Sequence, residues 1–367
     1  MSSVIPAPAA VSFDEIPVVS LAGWRTDAAG RWSFAEDLVR VCHEIGFLLL
    51  VDHGVDMAFV ERCFDALDGF FSLPEEVKAT IDKRGSRHFR GWERVGAELT
   101  DNRVDHREQL DVATEYEARA ADVLPPHLRL DGPNQWLPEE ALPGFRATVG
   151  EVFDRFGGVA REVLAALSLG LGLEEDHLGR VFGDRPYSFV KCIDYPVTPE
   201  GEAGVNAHHD VGFLSVLCQH RVGGLQVQNP DGRWIDVPLV PGALVVNLGE
   251  NLQSMTGNYL VATMHRVIAT EPRRSLAYFY GGDLRMALDP LPLDGRFAEA
   301  VAVSPRHAGA GFMATRDDLL DGRRGTTSRG ARVYGEQLWN YLARSYPENM
   351  RLHHPDLAAS TGAPGQA

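Results

Sequence analysis

The sequence predicts a mixed α and β protein, with helices gathered in the first half and a sandwich or jelly roll in the second. Three observations predict it. Apolar residues recur at helical spacing through 33–46, 56–73 and 144–183. From about residue 186 the texture changes to short apolar runs separated by turn residues, which favours a sandwich or jelly roll over a parallel sheet. The chain has 367 residues, 44% of them hydrophobic, enough to bury a full core without disulfide staples.

Taken in order, residues 1–12 are rich in Ala and Pro and read as a loose terminus. "IPVVSL" (16–21) is a short strand. "SFAEDLVRVCHEIG" (33–46) reads as a helix with Ser33 as N-cap, Glu36 three residues on as its capping-box partner, and Gly46 as its stop. "FLLLVDHG" (47–54) is a buried strand, and "DMAFVERCFDALDGFFSL" (56–73) an amphipathic helix closed by Pro74. Residues 85–115 are mixed. The strands of the second half run from "YSFVKCIDYP" to "RSLAYFYGG", with "NPDGRW" (229–234) as an Asp-Gly hairpin loop. The tail holds a Gly- and Arg-rich stretch (322–332) with Arg323, Arg324, Arg329 and Arg332, read as a solvated loop or a lid, then the helix "GEQLWNYLARSYP". "HHP" (353–355) reads as exposed. The organisation expected is 1–12 terminus, 13–185 helices with outer strands, 186–285 core, and 286–367 C-terminal segment.

The formal charge of −16 disfavours nucleic acid and anionic membrane as partners. No window approaches a membrane span in length. Cys42, Cys63, Cys192 and Cys218 form no C-x-x-C pair and read as buried free thiols. The N-terminus lacks the basic and apolar regions of a signal peptide, so a cytoplasmic protein is expected. Three lysines against 32 arginines suggest a GC-rich coding genome.

The chemistry concentrates in "NAHHDVGFLSVL" (206–217). If 208–217 is one strand, His208 and Asp210 share a face and His209 points away. An imidazole and a carboxylate so placed suit two neighbouring ligands on one metal, and His265 in "TMHRVIAT" is the candidate third. Two histidines and a carboxylate on one side of a metal leave positions open, the facial-triad arrangement of non-haem Fe(II) oxygenases. The plain alternative is a buried His–Asp pair that serves packing. On a following strand Arg273 and Ser275 also face one way. Their guanidinium and hydroxyl suit a carboxylate, from a bound organic acid or from an internal salt bridge.

These residues carry a resemblance. The stretch 206–281 is similar to the isopenicillin N synthase-like branch of the Fe(II)/2-oxoglutarate-dependent dioxygenases. The branch's H-x-D, "GLQV", W-x-x-V, VN-x-G-(D/E), "HRV" and R-x-S stand here in order, as His208–Asp210, Gly224–Val227, Trp234–Val237, Asn247–Glu250, His265–Val267 and Arg273–Ser275. "CHEIGFLLLVDHGV" and "FFSLPEEVK" look like the family's N-terminal region.

The resemblance implies a double-stranded β-helix, a jelly-roll variant, with flanking helices. It implies Fe(II) on His208, Asp210 and His265, 2-oxoglutarate on Arg273 and Ser275 with Tyr195 in contact, and O₂ as co-substrate. Ile193 stands where the family often has Asn, and the intact Asp210 argues against halogenation. The implied reaction is hydroxylation, desaturation or cyclisation of a small molecule, in specialised, antibiotic-type metabolism. Arg90, Arg103 and Gln109, in the segment 87–112, are the candidate substrate contacts. Three alternatives remain at this level: an oxidase of the same fold that does without 2-oxoglutarate, a degenerate relative that only binds a small molecule, and a cupin-like zinc hydrolase.

Overall fold

A computed structural model describes residues 12–100, 103–308 and 333–358. Fourteen strands are defined among them: β1 Val18–Ser20, β2 Phe47–Val51, β3 Gly91–Glu93, β4 Leu99–Thr100, β5 Arg103–Val104, β6 Glu108–Ala113 and β7 Phe189–Tyr195, followed by β8 Val205–His208, β9 Leu214–Gln219, β10 Leu225–Gln228, β11 Trp234–Asp236, β12 Leu244–Leu248, β13 His265–Val267 and β14 Arg273–Tyr280. Eight form one sheet in the order β1-β2-β12-β9-β14-β7-β6-β3, and four form a second in the order β11-β10-β13-β8. This is the jelly-roll core with helices outside it. The large sheet draws strands from both halves of the chain: β2 pairs with β12, and β6 with β7.

Period-two alternation decides what each face of the large sheet buries. Leu48 and Leu50 of β2, Val216 and Cys218 of β9, and Leu276 and Tyr278 of β14 join one core with helices α1 (Ala28–Glu44), α2 (Met57–Phe71) and the long helix Phe145–Gly170. Their strand neighbours turn the other way. Phe47, Leu49, Ile193, Tyr195 and Val245 pack instead against Val205, Leu225, Val227 and Val267 of the small sheet. Each fully buried Leu or Phe on either face contributes about 1.5–3 kcal/mol. The inner space between the two sheets is where the candidate ligands converge.

Local chemistry sets the boundaries. α1 starts at Ala28 rather than after Ser33, because Asp27 accepts from the Gly30 N–H at 2.9 Å and the alanine pair that follows extends the helix backwards. Gly46 ends it as expected, with φ +72°, and a Cβ there would run into the Val261 carbonyl oxygen. The Asp-Gly loop joins β10 to β11, with Gly232 at φ +79°. The four cysteines are free and buried. Residues 208–217 are not one strand: β8 stops at His208, and a turn precedes β9. His354 is fully buried rather than exposed: its Nε2 lies 2.9 Å from the Arg87 carbonyl and its ring packs on Phe89 and Trp339. Residues 1–11 and the arginine-rich stretch 322–332 fall outside the described residues. Among the described residues no helix is long and apolar enough to cross a membrane.

Candidate active site

Strand pairing brings two histidines together. His208 ends β8, His265 opens β13, and the two are direct partners in the antiparallel register, with ring centroids 4.3 Å apart. Asp210 arrives by a different route from the pleat expected for a continuous strand. The chain leaves β8 after His208, and the turn carries the carboxylate back so that Oδ1 lies 3.7 Å from Nε2 of each histidine. Ligand atoms of the three groups lie within 4.8 Å of one another, close enough to hold one metal ion. His209 also borders the cavity beside them, because the strand has already ended, but it is outside that group of three.

The surroundings orient every ligand. Nδ1 of His208 lies 2.8 Å from the Asn206 carbonyl, and Nδ1 of His265 lies 3.0 Å from the Thr263 carbonyl. Each Nδ1–H therefore donates to backbone, and each Nε2 lone pair is left for a metal. Asp210 Oδ2 accepts from Ser215 Oγ and Asn247 Nδ2, both at 2.6 Å, which leaves Oδ1 facing the histidines. Burial, with the neighbouring His265, pushes the His208 pKa down to about 3. Burial acts to raise Asp210, but the adjacent imidazoles and its two hydrogen bonds outweigh it and hold the group ionised. Neutral imidazoles and an anionic carboxylate are the protonation states that ligate.

On the inner face of β14, Arg273 pairs across the ladder with Tyr195 and Ser275 with Ile193. The guanidinium lies 4.8 Å above the Tyr195 ring, and its one hydrogen bond is Nη2 to Gln219 Oε1 at 3.4 Å. Nε and Nη1 of Arg273 and Oγ of Ser275 are buried with no protein partner. Burial lowers the Arg273 pKa, and no protein carboxylate stands against that effect. A buried guanidinium that meets no protein carboxylate, beside a hydroxyl with no partner, has the chemistry to receive an external carboxylate. Farther along the same face, Ala277 and Phe279 border a cavity of ≈ 400 Å³ that also takes in Tyr195 and the three candidate ligands.

The other candidates lie elsewhere. Arg90 is buried, donating to the carbonyls of Gly132 and Leu130, and Arg103 is exposed on β5. Gln109 Nε2 donates to Glu93 and Glu98, at 2.6 and 2.5 Å. None of the three borders the cavity. Arg107, Lys191, Gln337, Tyr341 and Arg344 do, and sequence reasoning missed them. The signal for the last three was present: 334, 337, 338, 341, 344 and 345 make one stripe at helical spacing along Tyr334–Ser345. Lys191 and Arg107 belong to a buried ionic cluster. Lys191 Nζ lies 2.8 Å from Asp111, Arg107 lies 2.6 Å from Glu98, and Lys83 bridges Glu93 and Asp111.

Comparison with known proteins agrees with this geometry. Residues 16–139 match the family described as non-haem dioxygenase in morphine synthesis N-terminal, and residues 186–282 match the 2OG-Fe(II) oxygenase superfamily. A 2-oxoglutarate-dependent dioxygenase of Dothideomycetidae sp. is 31% identical over 95% of this chain and 92% of its own. A homoarginine-6-hydroxylase of Arabidopsis thaliana is 28% identical over 77% of this chain and 90% of its own. Among solved structures, a full-length Neurospora crassa protein in complex with alpha-KG and thymine is similar with TM-score 0.66 and 25% identity, covering 76% of this chain and 88% of that one.

Proposed function

The chain belongs to the 2OG-Fe(II) oxygenase superfamily and is a non-haem Fe(II)- and 2-oxoglutarate-dependent oxygenase of a small molecule; from that premise we propose the residues that do the work. His208, Asp210 and His265 hold the iron, and Arg273 and Ser275 hold the far carboxylate of 2-oxoglutarate, with Tyr195 as the floor beneath the guanidinium. The carrying observation is the convergence of two Nε2 atoms and one carboxylate oxygen, each ligand group held by its own hydrogen-bond partners, together with a buried arginine on β14, the strand whose Ala277 and Phe279 border the same cavity, that meets no protein carboxylate.

When bound, the ferrous ion and 2-oxoglutarate together activate O₂ for attack on a substrate C–H bond. The protein's residues supply geometry. The backbone carbonyls of Asn206 and Thr263 lock the imidazole tautomers, and Ser215 and Asn247 hold the carboxylate so that one oxygen faces the metal. Phe189, Phe279, Leu217 and Val205 give the cavity wall an apolar stretch that limits water around the reacting bond. A cavity of ≈ 400 Å³ suits a substrate on the scale of those in the names of the similar proteins, homoarginine and thymine. The outcome we assign is hydroxylation, desaturation or cyclisation in specialised metabolism. Four buried free thiols fit a reducing, cytoplasmic setting.

The test is removal of the carboxylate ligand. Asp210→Ala should lower succinate formation from 2-oxoglutarate by at least about 10³-fold and abolish anaerobic Fe(II) binding measured by calorimetry. His209→Ala should still bind Fe(II). Iron binding that survives Asp210→Ala but is lost in His209→Ala would overturn the ligand assignment.

A further inference from the structure

The charged groups around the cavity can be sorted by whether the protein already answers them. Asp210 serves the metal, and Glu250 is not a free acid. Lys191 is paired with Asp111 and Glu98, and Arg107 with Glu98 and Asp105. Among the described residues of the wall, Arg344 alone carries a charge that no protein group meets. It projects from the C-terminal helix Tyr334–Ser345, on the stripe that borders the cavity, and it is exposed.

A second observation stands on the same helical face. Gln337, seven residues earlier and so on the same side of the helix, is 3% exposed and borders the cavity, and its Oε1 is buried without a hydrogen-bond partner. Tyr341, between them, is already committed: its hydroxyl donates to Glu98 Oε1 at 3.2 Å. The phenol of Tyr346, just past the helix, accepts from Lys83 Nζ at 3.0 Å. The helix is thus tied down through Tyr341 within it and Tyr346 at its end, while Arg344 and Gln337 are left to face a ligand. A buried polar atom left unpaired is costly, so its persistence on a ligand cavity points to a partner that arrives with the ligand.

From this we propose that the substrate is a small organic acid whose carboxylate is held by Arg344 at the cavity mouth, with Gln337 making a further polar contact deeper in. This rests on the functional reading above and adds a substrate class to it. The guanidinium fork matches a planar carboxylate in two parallel hydrogen bonds. On a chain of net charge −16, a cation that no group among the described residues answers also selects locally for an anion at the entrance.

The experiment uses the full chain with a panel of aliphatic, aromatic and amino-acid carboxylates, each beside its primary amide and its phosphonate. Binding is read by saturation-transfer NMR and, separately, by stimulation of succinate formation. The expected result is acids bound about 10-fold or more tighter than their amides, with the difference erased in Arg344→Gln and partly kept in Arg344→Lys. Arg351→Gln, an exposed arginine on the next helix and away from the cavity, should keep it. Amides binding as well as acids, an acid preference that survives Arg344→Gln, phosphonates preferred over carboxylates, or no acid bound at all would each overturn the assignment. Absence of succinate from the unmodified protein would instead strike the oxygenase reading, and the NMR preference would still judge Arg344.

Discussion

Arg273 and the cluster of Lys83, Lys191 and Arg107 are cations buried to a similar degree, and the protein treats their charge in opposite ways. In the cluster every cation meets acids. Lys83 reaches Glu93, Asp111 and the Tyr346 hydroxyl; Lys191 reaches Asp111 and Glu98; Arg107 reaches Glu98 and Asp105. Burial pulls these cations toward neutrality, but the acids outweigh it and all three pKa values end above their ordinary values. Arg273 has no such company, and burial leaves its pKa lowered. Burial alone therefore does not mark a binding residue. The cluster is closed in charge and, through Tyr341 and Tyr346, ties the C-terminal segment to the sheet, whereas Arg273 meets no protein carboxylate, which is what the 2-oxoglutarate contact proposed above needs.

The largest effect should come from opening the closed cluster. Lys83→Met removes the cation shared by Glu93 and Asp111 and leaves buried carboxylate charge short of a partner. Breaking a buried pair in this way costs about 3–5 kcal/mol, to be read as a fall in the urea midpoint at unchanged slope. A variant as stable as the parent would show that the cluster is not closed on itself.

Arg273→Gln should do the reverse. Because no carboxylate depends on this guanidinium, stability should hold or rise. The KM for 2-oxoglutarate should increase about 10–100-fold, the range expected for a charge-assisted bidentate contact. The succinate assay and a thermal melt on the same sample give both readings. A destabilisation as large as that of Lys83→Met would make Arg273 structural and erase the contrast.

How much of this was legible in the sequence follows from the range of the interactions. The inner face of β14 was readable, because Arg273 and Ser275 obey a two-residue period that needs no partner to define it. His265 was readable as a ligand candidate, although its pairing with His208 across the ladder is a tertiary fact. The substrate side was read less well. Arg107 and Gln109 lie on one face of the chain two residues apart, and only the packed acids decide that Gln109 is consumed by Glu93 and Glu98 while Arg107 borders the cavity. The contact between Lys83 and Tyr346 joins residues 263 apart, and no local pattern announces it. The start of α1 was missed for a simpler reason: Asp27 and Ser33 are both competent caps, and the alanine pair after Asp27 favours the earlier one.

The smallest effect is the most discriminating, and it concerns Ser275. Its side chain is fully buried at the register partner of Ile193, and Oγ has no protein partner. If that hydroxyl exists for an arriving carboxylate, Ser275→Ala removes a polar group that the folded protein never satisfied. Stability should then stay level or rise by up to about 1 kcal/mol, since an orphan donor carries a desolvation cost that alanine lacks. The KM for 2-oxoglutarate should rise about 3–10-fold, the share of one neutral hydrogen bond beside a dominant guanidinium. In the double variant with Arg273→Gln the two effects should be less than additive, because both groups address one carboxylate. Full additivity would place the hydroxyl and the guanidinium on separate ligand groups. A loss of stability in Ser275→Ala would mean that the hydroxyl already has a partner within the fold, and the carboxylate contact would then reduce to Arg273 alone.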